Sequence, residues 1–124
     1  MIKAYRIFTG ADNDSHVEAG RVKEHEPDEV RSIHFVETPP RSALDWHNAP
    51  EAQYVITLSG VLEFTFRDGT GFVLRPGDVL IAVDVSGTAH KWRMLGDEPW
   101  RRAYVVLKSG SGALFVPDAP AMPA

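Results

Sequence analysis

The feature that most restricts this chain is a succession of short runs of β-branched and aromatic residues, closed at near-regular intervals by Gly, Pro, Asn and Asp. No stretch repeats its apolar residues at a 3.6-residue period between helix caps, so long helices are not expected. Strands are expected over residues 2–8, 32–37, 53–66, 71–74, 79–83, 91–95, 102–108 and 113–116. Turn clusters separate them at residues 9–13, at Pro39-Pro40, at Asp68-Gly69 and at residues 75–78. In the longest run the alternation after Gly60 is clean: Leu62, Phe64 and Phe66 face one way, Glu63 and Thr65 the other. One helical turn is expected over residues 25–31, with Asp28 and Glu29 in its first part. Many short strands joined by Gly/Pro turns make a sandwich or a barrel, and the expected fold class is all-β.

The chain of 124 residues is the size of one domain. Residues 1–116 are read as that domain and 117–124 as a Pro/Ala-rich tail, because three prolines there forbid a helix or a central strand. With 44% hydrophobic and 24% charged residues the composition is that of an ordinary globular protein. A formal net charge of −4 and the lack of any Lys/Arg run exclude a nucleic-acid surface. The pair Arg101-Arg102 is read as a solvated edge or as ion-pair partners. No cysteine is present, which removes disulfides, thiol nucleophiles and thiolate metal sites together. Lys3 and Arg6 interrupt the first eight residues, and the apolar run 79–83 is far too short to span a bilayer. A soluble, cytoplasmic protein with no membrane partner is expected.

Five histidines are the candidate chemical groups. His25 lies in a charged loop and His16 in a polar turn, and both are read as surface residues. His34 sits mid-strand on the face shared by Ser32 and Val36, either lining a pocket or packed under a hydrogen bond. His47 and His90 differ from these. Each stands beside a strand, near a glycine-marked turn and next to a tryptophan, Trp46 or Trp92. Imidazole ligates Zn, Fe, Ni and Cu, and it is a general base near neutral pH.

The pattern around those two histidines resembles the cupin superfamily. The first cupin motif runs Gly, five residues, His-x-His, three or four residues, Glu, six residues, Gly. Here Arg41 replaces the opening Gly, His47 is kept, Ala49 stands in the second His slot, Gln53 in the Glu slot, and Gly60 closes the motif. The second motif runs Gly, five residues, Pro-x-Gly-x-x-His, three residues, Asn. Gly77 opens it, Gly87-Thr88-Ala89-His90 keeps the Gly-x-x-His piece, and Met94 takes the Asn slot. The Pro is missing and the spacing between the glycines is two residues longer. The resemblance implies a single cupin-type β-barrel, a jelly roll, with both histidines aimed into its mouth.

It also implies candidate functions. His47, Gln53 and His90 would hold a divalent transition metal (Fe, Zn, Ni or Mn), with fewer ligands than the family's three histidines and a glutamate. The expected activity is a metal-assisted oxygenase, isomerase or lyase acting on a small oxygen-rich organic molecule, with His47 and His90 as catalytic residues. The alternative is a metal-free cupin that binds or senses a ligand. A weaker third reading is a filled interior whose surface contacts a protein partner. Gln53, Val55 and Thr57 share one strand face, so Val55 and Thr57 join Trp46, Trp92, His34 and Asp84 as expected pocket residues. For Asp84, capping the turn before Gly87 is favoured over a place in the pocket. Pairing of exposed edge strands makes a homodimer the expected assembly, with residues 2–8 as the candidate interface strand.

Overall fold

The computed structural model describes residues 1–108 and 114–118. Among them lie β1 (Lys3–Thr9), β2 (Ser15–Val22), β3 (Val30–Thr38), β4 (Ala43–His47), β5 (Gln53–Ser59) and β6 (Val61–Thr65). They are followed by β7 (Gly71–Leu74), β8 (Val79–Ala82), β9 (His90–Leu95), β10 (Trp100–Leu107) and β11 (Phe115–Pro117). No helix occurs among the described residues, and none is long and apolar enough to cross a membrane.

The strands form a seven-stranded sheet of order β11-β2-β1-β8-β5-β10-β3 and a four-stranded sheet of order β4-β9-β6-β7. Every pairing is antiparallel except β1 with β8. The two sheets meet across one core. Ile7, Val55, Leu80 and Ala82 from the large sheet pack with Leu62, Phe64, Leu74, Trp92 and Met94 from the small one. The alternation read along β6 is what places Leu62 and Phe64 there, and Phe66 continues the same face. A smaller apolar cluster of Ala4, Tyr54, Ile81 and Leu107 covers part of the large sheet's other face.

Several expectations are corrected. The run 53–66 is two strands, because Gly60 adopts a φ of 92° and carries the chain from the large sheet into the small one. The region around His16 is a strand rather than a turn. β2 is poor in strand formers, but pairing with β1 over seven residues on one side and with β11 on the other imposes the conformation. β4 is another strand whose sequence signal is weak. No helical turn forms over residues 25–31; His25 sits in a turn at a φ of 68° and β3 starts at Val30. Residues 2–8 offer no free edge either, because β1 is paired on both sides, with β2 and with β8. Of the final strand, Phe115–Pro117 is seen as β11, with Pro117 on a sheet edge where its missing N–H costs nothing. Residue 113 and most of the expected tail, from 119 onward, lie outside the described residues.

The crossing at Gly60 is also a close approach, since a Cβ there would lie 2.9 Å from Pro99 O and from Trp100 Cα. Gly60→Ala is therefore expected to lower stability by at least about 1 kcal/mol, from left-handed strain and the clash together. Chemical denaturation of the two proteins checks it; equal midpoints would show that the crossing tolerates a side chain.

Candidate functional site

His47 ends β4 and His90 begins β9, and the two are opposite one another in the β4–β9 ladder. Their ring centroids are 4.4 Å apart in an edge-to-face arrangement. The loop before His90 is held in place by backbone geometry. Gly87 has a φ of 95°, and a Cβ on it would lie 2.5 Å from Asn13 O, so only glycine fits. Ala89, directly before His90, is held at a φ of 75° without being glycine. Such a conformation costs roughly 1–2 kcal/mol and persists only where its surroundings impose it.

Both rings have one nitrogen committed. His47 Nδ1 donates to the Asp45 carbonyl at 2.8 Å. His90 Nδ1 donates to Asp84 Oδ2 at 2.6 Å, and the Ser15 hydroxyl donates to the same oxygen at 2.8 Å. A carbonyl can only accept, so the neutral His47 ring carries its proton on Nδ1 and keeps a lone pair on Nε2. Nε2 of each ring has no partner among the described residues. Asp84 is fully buried, and its second oxygen, Oδ1, has no hydrogen-bond partner among them. An unsatisfied buried acceptor costs roughly 1–3 kcal/mol, which the two short bonds at Oδ2 must offset. Burial holds His47 below its ordinary value of 6.5, and the neighbouring His90 pushes the same way.

The two histidines open onto one small cavity of about 40 Å³ with Gln53 at its polar end. Its walls are Ala49, Val55, Phe64, Leu80, Ala82, Trp92, Trp100 and Tyr104. At roughly 10–15 Å³ per water it admits about three or four waters, or one end of a small molecule. A wider groove of about 530 Å³ on the outside of β4, β6 and β9 is open, and its Arg93 is already bound to Glu63 at 2.9 Å. The chemistry-bearing groups are in the small cavity.

The structure therefore brings His47, Gln53, His90, Val55 and Trp92 together. It places Thr57 on the same strand face but deeper in the core, where its Oγ1 accepts from Trp100 Nε1 at 3.4 Å. Trp46 lies outside the cavity, under the Arg67 guanidinium at 3.7 Å and Lys91 at 4.9 Å. His34 is exposed and stacks on Tyr104 with centroids 5.0 Å apart. Asp84 neither lines the cavity nor caps the turn with its side chain; it braces His90 from behind. His16 is half-exposed and bonds Asp12 at 2.9 Å, as suits a surface residue.

Tyr104, Trp100 and Arg102 were not legible as site residues. Arg102 is buried, unlike a solvated edge, and lies 3.7 Å over the Trp100 ring. It donates to Thr38 Oγ1 at 2.6 Å, to Trp100 O at 3.1 Å and to Tyr104 OH at 3.1 Å. The signal that could have found it is register: Arg102 and Tyr104 stand opposite Thr57 and Val55. Arg101 is the exposed member and pairs with Glu37 at 3.5 Å.

Two titrations follow. In ¹H–¹⁵N spectra His47 should titrate below 6.5, and His16 above it because Asp12 hydrogen-bonds the protonated ring. Whatever stability the neutral His47 contributes is present above about pH 6.5 and is lost as pH falls, since the unfolded chain then takes up the proton first. Asp12→Asn should return His16 toward 6.5 and leave His47 alone. Reversal of the two midpoints would contradict the described surroundings.

The donor set can be weighed as a metal site. Two imidazoles with free Nε2 atoms and an amide oxygen suit a borderline divalent cation, and Asp84 behind His90 is the kind of outer partner that orients a ligating ring. Yet among the described residues no three His, Cys, Asp or Glu side chains group around one point, and Ala49 fills a wall of the cavity. The residues fit a loosely held ion that needs water or a bound molecule to complete its shell. Among curated proteins, none matches the chain. The family model for the cupin domain matches residues 34–107, more than half of it, covering the strands that carry Gln53, His47 and His90. With two facing sheets and the two histidines on one cavity, the chain belongs to the cupin superfamily.

Proposed function

We propose that this cupin binds a small oxygen-bearing organic molecule in the cavity between its sheets and exchanges a proton with it at His90. The observation that carries this reading is the pair of imidazoles whose Nδ1 atoms are both committed, leaving two Nε2 atoms beside the Gln53 amide in an apolar-walled space. His90 Nε2 accepts a proton from a bound hydroxyl or activated C–H, and the Asp84 carboxyl steadies the imidazolium that forms. His47, held neutral by burial, offers a second acceptor without adding a positive charge. Gln53 supplies both an amide donor and a carbonyl acceptor, which fixes the orientation of an oxygen-rich group. The apolar walls lower the local dielectric and strengthen each of these hydrogen bonds.

A second reading is supported by the bracing of His90. His47, His90 and Gln53 would hold a divalent transition metal, which supplies Lewis-acid polarisation of a bound carbonyl or enolate oxygen. The residues keep the same duties of orienting and sheltering the ligand in either case.

Elemental analysis of untagged protein purified without chelators separates the two readings: stoichiometric Fe, Zn, Ni or Mn supports the second, and its absence the first. His47→Ala should abolish binding of small hydroxy- and oxo-acids in calorimetry, and His25→Ala should leave it unchanged. His90→Ala strands the buried Asp84 and is expected to destabilise the fold by about 3–5 kcal/mol, so His90→Asn, which can still donate to Asp84, is the better probe. Binding that survives His90→Asn but fails in His25→Ala would place the site elsewhere.

A further inference from the structure

Among the described residues Arg102 is the only Lys or Arg whose side chain is buried, at 6% exposed. Its acceptors, Thr38 Oγ1, Trp100 O and the Tyr104 hydroxyl oxygen, are all neutral, and no carboxylate among those residues answers its charge. Nε and Nη1 make these bonds, and Nη2 has no partner there. Asp84 Oδ1 is the only fully enclosed side-chain N or O atom left unbonded among the described residues, so Nη2 reaches accessible space. A buried charge without a counter-charge is costly, and an anion arriving from outside removes that cost.

Strand register shows where such an anion sits. Trp100, Arg102 and Tyr104 share one face of β10, and Tyr104 stands opposite Val55 on one side and His34 on the other. Trp100, Tyr104 and Val55 line the cavity, so this is the inward face. His34 is on the same face yet exposed, so the small sheet leaves the β3 end of the large one uncovered. Half-buried Tyr104 lies between that open shelf and the enclosed histidines. Its oxygen accepts from Arg102 Nε at 3.1 Å, and its own hydrogen has no acceptor among the described residues. One Nη2–H projects from the same edge of the flat guanidinium as Nε–H, and so is aimed beside the Tyr104 oxygen. Two adjacent free donors, one of them charged, match the two oxygens of a carboxylate. Building on the reading of the cavity as a ligand site, we propose that Arg102 Nη2 and the Tyr104 hydroxyl hold the carboxylate of the ligand, which makes it a small organic acid. His47, His90 and Gln53 then meet the oxygen function at its other end.

Calorimetry with lactate and pyruvate, and with their uncharged amides lactamide and pyruvamide, tests this. The acids should bind the wild-type protein about tenfold or more tighter than the amides, the margin a charge-assisted hydrogen bond supplies. Arg102→Met keeps the bulk of the side chain and should erase that preference. Tyr104→Phe keeps the ring stacked on His34, so it serves even where Arg102→Met fails to fold. It should weaken the acids about tenfold and the amides less. Circular dichroism and Tm verify that each variant is folded. Equal binding of acid and amide to the wild type overturns the inference. So does an acid preference that persists in Arg102→Met, or an acid affinity undiminished by Tyr104→Phe. In each of those cases, loss of all binding in His47→Ala still upholds the cavity as the ligand site, whereas binding of none of the four molecules overturns both.

Discussion

The arrangement at the heart of this protein depends on one buried hydrogen bond, from His90 Nδ1 to Asp84 Oδ2 at 2.6 Å. Two segments distant in sequence converge on it. Ser15 of β2 reaches the same oxygen, and the loop after β8 carries Asp84 and leads to His90 at the start of β9. The left-handed backbone at Gly87 and Ala89 is tolerated because it presents the His90 ring to Asp84 on one side and to the cavity on the other. An aspartate with one oxygen unsatisfied in the core is unfavourable on stability grounds. Its presence makes sense as a brace that sets the ring's orientation through Nδ1 and leaves Nε2 without a partner among the described residues.

Around that bond the interior is mostly full. Phe64, Trp92 and Trp100 occupy the space between the sheets, and the remaining void is small. Arg102 contributes by an indirect route. Its guanidinium lies on Trp100 and bonds the Tyr104 hydroxyl, so it sets two cavity walls without touching the cavity. A buried guanidinium with no carboxylate partner among the described residues is held by three acceptors and an aromatic face, compensations that suit its flat, weakly hydrated group better than a lysine's ammonium. The same large sheet carries Gln53 and Tyr104 inward and the exposed apolar residues Ile33, Phe35, Ile56 and Leu58 of β3 and β5 outward.

The departures from the family pattern behave differently from one another. Arg41 stands where the first motif has glycine, yet it adopts a φ of 65°, so the backbone demand is kept although the residue is not. Ala49 and Gln53 keep their places on the cavity and change its chemistry. Met94, in the Asn slot, has joined the core. Turn geometry thus persists through substitutions that remove potential ligands, since a turn depends on dihedral angles and a ligand on its atoms.

The sequence by itself determined the all-β class, most strand positions and the inward face of β6, and it marked the two histidines that come to line one cavity. Each of these is local: period-two alternation, turn residues and motif spacing are written in neighbouring positions. What only the tertiary structure decided was where side chains at equal promise end up. Trp46 and Trp92 flank the two histidines alike, but one lies outside under Arg67 and the other lines the cavity. Asp84 is a brace for His90 rather than a turn cap, Arg102 is buried, and β2 is a strand because its neighbours pair with it. Those outcomes rest on contacts between residues far apart in the chain, and no local pattern encodes a partner tens of positions away.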